Sequence, residues 1–74
     1  MDHDWSERTK RFLKAELKRA DITYEDLAAR LSEMGLQETR ASVSNKISRG
    51  GFPASFFVAA LKAIGVQQVR LEDV

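Results

Sequence analysis

Apolar residues fall at Trp5, Phe12, Leu13, Leu17 and Ala20, a spacing that gathers them on one side of a helix. Arg8, Lys10, Arg11, Lys14, Lys18 and Arg19 fill the other sides, so the pattern predicts a first helix over residues 5–20. After the connector Asp21-Ile22, Thr23 has the side chain of an N-cap, and Asp26 three positions on completes a shortened capping box. A second helix over residues 24–34 follows, with Tyr24, Leu27, Ala28, Leu31 and Met34 facing inward and Gly35 as its left-handed stop. Glu25 and Asp26 suit the positive end of its dipole.

Thr39 is a second N-cap candidate, and the stretch from Arg40 to Arg49 before the breaker pair Gly50-Gly51 predicts a short third helix. Its apolar seam is narrow. Only Val43 and Ile47 form it, while at 100° per residue Asn45 and Arg49 point to the opposite side and Ser42 and Lys46 flank it. Pro53 suits the first position of a fourth helix over residues 53–64, whose apolar face comprises Phe56, Phe57, Ala60, Leu61 and Ile64 and which Gly65 ends. In the extended tail 65–74, Val69-Arg70-Leu71 alternates as an edge strand would, and Glu72-Asp73-Val74 is expected to fray. The expectation is an all-α, compact four-helix domain of helix-turn-helix type, spanning residues 1–74 as one unit.

Composition narrows the possibilities. The 74 residues are 43% hydrophobic and 31% charged, which is globular, and no apolar run is long enough to span a membrane. There is no cysteine for a disulfide or a thiolate metal site, and the acidic start Met1-Asp2-His3-Asp4-Trp5 does not resemble a secretory signal. A cytoplasmic location is expected. His3, the sole histidine, makes a poor metal ligand with only Asp2 and Asp4 beside it, so no metal and no cofactor are expected.

A formal net charge of +1 is too small to advertise a polyanionic partner, but its distribution is uneven. Residues 21–39 hold five acidic and one basic side chain, whereas residues 40–62 hold four basic and none acidic. A polyanion would be drawn to the latter stretch and to the first helix. Arginine and lysine can donate to guanine or phosphate, asparagine can pair with adenine, and serine can contact either a base edge or a phosphate. Arg40, Ser42, Asn45, Lys46 and Arg49 are therefore the candidate groove residues, with Arg11, Lys14 and Lys18 as candidate phosphate contacts from the first helix. The expected partner is double-stranded DNA, and because one module neutralises few phosphates, a homodimer or larger complex is expected too.

Thr23-Tyr24-Glu25-Asp26-Leu27-Ala28, then Val43-Ser44-Asn45-Lys46-Ile47-Ser48-Arg49-Gly50, then Leu61-Lys62-Ala63-Ile64-Gly65-Val66 resemble the Cro/repressor-type, or Xre-like, helix-turn-helix family over residues 9–66. The pattern of Trp5, Leu13-Lys14-Ala15-Glu16-Leu17, Thr23-Tyr24, Asn45 to Gly50 and Ala63-Ile64-Gly65 is closer still to a family of short bacterial domains of unknown function. The resemblance implies the lambda-repressor-like form of the fold and a DNA-binding transcriptional regulator. Three departures qualify it. The stretch from Leu27 to Gly50 is longer than the usual spacing, Ser48 stands where a glutamate usually precedes Arg-Gly, and no fifth helix is predicted after Gly65. A dimer through such a helix is not carried over.

Blander readings compete with each of these. The third helix could simply close the bundle with a solvated face, and the first could be a basic amphipathic membrane segment, although its apolar side is explained more economically as core. Trp5 and Phe52 are expected to pack at the core rather than stack on bases. No phosphate loop, zinc helix or nucleophile with its base is present, so catalysis is not expected. The alternative function is a protein-interaction module, of antitoxin or phage-modulator kind, that uses the same fold without reading DNA.

Overall fold

The computed structural model describes residues 4–74, and His3 lies outside them. Four helices follow in order: α1 (Trp5–Ala20), α2 (Tyr24–Glu33), α3 (Arg40–Arg49) and α4 (Ala54–Ile64), with a 3-10 turn at Leu71–Asp73. α1 and α2 each pack on both α3 and α4, so the four enclose one core. Leu13, Leu27, Leu31, Val43 and Ile47 are its fully buried large side chains, joined by Leu17, Phe56 and Leu61.

Local chemistry sets the helix boundaries. Asp4 Oδ1 accepts from the Glu7 backbone N–H at 3.2 Å and starts α1. Thr23 and Asp26 form the expected reciprocal box, with Asp26 N donating to Thr23 Oγ1 at 3.1 Å and Thr23 N to Asp26 Oδ2 at 3.4 Å. A second box opens α3, with Thr39 N donating to Ser42 Oγ at 2.8 Å and Ser42 N to Thr39 Oγ1 at 3.1 Å. Pro53 is the residue just before α4, not its first turn. α1 leaves through Asp21 at φ 58, a left-handed position that asparagine and aspartate tolerate better than most side chains.

Three expectations change. Val69-Arg70-Leu71 forms no strand, and the described residues contain none; the tail instead turns through Leu71–Asp73. Nor does the end fray, because Arg8 of α1 donates to the Val74 carbonyl at 2.8 Å and Val74 packs against the core. Trp5 does not seal the core: it is 63% exposed, with the Arg8 guanidinium 4.2 Å above its ring. Ala20 and Met34, also expected on inner faces, are exposed: Ala20 is the last residue of α1 and Met34 caps α2 just past its end. Phe52 behaves as expected, stacking on Phe57 with ring centroids 5.9 Å apart. Among the described residues, no helix is long and apolar enough to cross a membrane.

Candidate nucleic-acid interface

α3 is held by its two-residue seam. Val43 and Ile47 are fully buried, and the residues on the other side of the helix, Ala41, Asn45, Ser48 and Arg49, are exposed. Ten residues give a rod of about 15 Å, short enough to lie within the major groove. Asn45 and Arg49 are one turn apart on the outward face, and Arg40 is exposed at the N-terminal end. The side chains of Arg40, Asn45 and Arg49 make no hydrogen bond or ion pair with another described residue. Ala41 and Ser48 share this face, although the cationic pattern alone does not single them out. A helical wheel weighted by size rather than charge would have found them.

The other two candidates on α3 are occupied. Lys46 pairs with Glu38, lies 5.2 Å over the Phe56 ring, and so lends its charge to the fold. Ser42 serves the N-terminal box and donates from Oγ to Glu38 Oε1 at 2.6 Å. Glu38 therefore collects both. Its side chain is only 6% exposed; burial pushes the carboxyl up, but hydrogen bonds from Lys46 and Ser42 and the Lys46 charge outweigh it and hold it below its ordinary value. The acid-free stretch 40–62 is thus partly neutralised from just outside its own limits.

This cluster yields a prediction with a definite sign. A carboxyl whose folded-state pKa is depressed contributes stability that is fully present above its unfolded value, near pH 4.5, and is lost as pH falls through the lower folded value. Glu38→Gln is expected to cost about 1.5–3 kcal/mol at neutral pH, the range for a hydrogen bond to a charged group. It should also flatten the acid limb of a stability-versus-pH curve measured by urea unfolding. An unchanged acid limb would show that Glu38 is not stabilised by its neighbours.

Around α3 the structure gathers some basic residues and disperses others. Lys10 of α1 donates to the Ser48 carbonyl at 3.3 Å, placing a cation at the C-terminal end of α3 where the helix dipole favours one. Lys14 is exposed one turn further along α1 on the same edge. Arg11 instead lines a groove with Arg8, Arg19, Asp73 and Val74 in which no α3 residue takes part. Lys18 is exposed near the far end of α1. Of the three α1 candidates, Lys14 stands one turn from the Lys10 contact with α3 and Lys18 two turns from it. Lys10 escapes a reading of the sequence because its role depends on how α1 crosses α3.

That crossing rests on Gly50. The residue is buried with φ 75, and a Cβ built on it would lie 2.9 Å from the Ser6 carbonyl oxygen. The end of α3 therefore abuts the α1 backbone directly, which fixes the angle at which α3 leaves the core.

Neither a curated protein nor a solved structure shows significant similarity to the chain. A family model does match, and it covers residues 5–69, from the first residue of α1 to the tail segment that follows α4. With all four helices, their shared core and nearly all of its length inside that match, the chain belongs to the family described as a domain of unknown function, DUF6471.

Proposed function

We propose that the chain is a sequence-specific DNA-binding module, a small transcriptional regulator in which α2 and α3 act as a helix-turn-helix and α3 is the reading helix. One observation carries the proposal: α3 keeps an outward face of Ala41, Asn45, Ser48 and Arg49 while spending only Val43 and Ile47 on the core. A helix that merely closed a bundle would be expected to bury a wider stripe. Asn45 has the fork to pair with adenine, Arg49 the fork for guanine, and the Ala41 methyl suits the thymine methyl. Arg40 and Lys14 supply phosphate contacts at the margins, and Lys46 and Ser42 position the helix instead of touching DNA.

The test is selection from random duplex DNA at two salt concentrations, followed by the triple change of Arg40, Asn45 and Arg49 to Ala. All three are exposed, so the fold should survive. The native chain is expected to enrich a motif with a log-log salt slope steeper than about −2. The triple variant should lose the motif and bind roughly 100-fold more weakly, the scale of one or two lost base contacts. No enrichment, or retention by the variant equal to that of the native chain, would remove α3 as a reader.

A further inference from the structure

Beside the C-terminal end of α3 lies an apolar groove of about 500 Å3, lined by Trp5, Phe52, Phe57, Val69, Leu71 and Val74. Its location follows from the chain. Trp5 precedes Ser6, which meets Gly50, and Phe52 comes two residues after Gly50. Leu71 is 86% exposed on the 3-10 turn, and Trp5 shows most of its ring. Scattered apolar residues on a surface are ordinary, but here a tryptophan and a leucine stand together on the rim of one apolar groove. The polar groups at its margin are already satisfied. Thr9 Oγ1 donates to the Trp5 carbonyl at 2.7 Å, and Arg8 is held by the Val74 carbonyl and the Trp5 ring. An apolar surface could cover the groove without orphaning a donor or a charge.

We propose that a second copy of the chain closes this groove in a two-fold dimer, with Leu71 of each copy seated in the groove of the other. The face carries both a projecting side chain and the recess to receive one, and an interface between identical copies across a two-fold axis requires that self-complementarity. Its charges are also self-complementary. Arg70 and Glu72 flank Leu71 and pair within one tail, so two tails running antiparallel can exchange partners, each Arg70 meeting the partner's Glu72. A net charge of +1 gives two copies little reason to repel. The dimer also suits the proposed function, on which this last point rests: no α3 residue lines the groove, and two copies would double the phosphates engaged and present two α3 helices to a palindromic site.

Sedimentation equilibrium over a wide concentration range tests the dimer. The native chain is expected to associate, and Leu71→Asp to weaken association by about tenfold or more while leaving the helical signal and the thermal midpoint of the dilute monomer unchanged, because Leu71 is exposed in the single chain. Arg70→Glu and Glu72→Arg should each weaken self-association, and mixing the two variants should restore it. A native chain that stays monomeric throughout, a Leu71→Asp variant that associates as well as the native chain, or a charge-swapped mixture that gains nothing would each overturn the proposal. Its fate separates from that of the DNA reading. A dimer that enriches no DNA motif supports this interface and refutes the reader, whereas a monomer that binds an unpaired half-site does the reverse.

Discussion

Gly50→Ala is expected to destabilise the domain by about 2–4 kcal/mol, a large share of what so small a domain has. Two costs add. An L side chain at φ 75 costs on the order of 1–2 kcal/mol, and the new methyl would sit 2.9 Å from the Ser6 carbonyl oxygen, a backbone atom that cannot swing aside. Two other glycines separate these contributions. Gly35, at φ 94 with nothing within 4 Å of an added methyl, should show the conformational cost alone when changed to Ala. Gly51, with open space and no positive φ, should tolerate alanine almost without loss. Urea unfolding of the three variants should rank them Gly50, Gly35, Gly51 from most to least damaged. Equal losses at Gly50 and Gly35 would mean that α1 yields to the methyl and that the contact does not fix the angle of α3.

Ile47→Ala is expected to cost about 3 kcal/mol, within the usual range for emptying a fully buried aliphatic site. The seam has only two large members, so the effect should concentrate on α3. Hydrogen exchange is expected to show the amides of α3 opening well before those of α1 and α4, and DNA selection, if the proposed function is right, to fade although Asn45 and Arg49 are intact. Val58→Ala on the exposed side of α4 is a matched control and should change little. A uniform loss of protection through all four helices would show that α3 does not open as a separate unit.

The helices are legible in the sequence because their signals are local. Thr23 and Thr39 cap within three residues, Gly35 and Gly65 stop their helices with left-handed backbone, and the Val43–Ile47 spacing identifies the inner side of α3 without knowledge of what it meets. What escapes depends on residues distant in the chain or on which of two equivalent surfaces is covered. Glu38 and Lys46 are eight positions apart across a helix start, so counting charges by segment places them in opposing blocks although they form one pair. Gly50 reads as a chain breaker, and only the crossing of α1 reveals the carbonyl against it. Trp5 reads as core because tryptophan usually is, but the tail that could have covered it turns at Leu71 and leaves the ring open. For the candidate interface, periodicity gives the outward direction of Asn45 and Arg49 correctly, whereas charge type alone does not distinguish Lys46, a tether, from Arg49.

The reciprocal box at Thr39 and Ser42 also gives α3 two unlike ends. The cap amide of Thr39 and the first-turn amide of Ser42, two of the free N–H groups that make helix starts attractive to phosphate, are both taken by side-chain oxygens, and the Glu38 carboxylate stands beside them. A phosphodiester approaching end-on finds two of the four helix-start amides taken and a carboxylate beside them, which leaves the Arg40 and Ala41 amides and the Arg40 side chain to meet it. The opposite terminus carries Arg49 and the nearby Lys10 ammonium. If α3 enters a groove, it should therefore tilt with its C-terminal half deepest, so that bases beneath Asn45 and Arg49 are read and those beneath Thr39 are not.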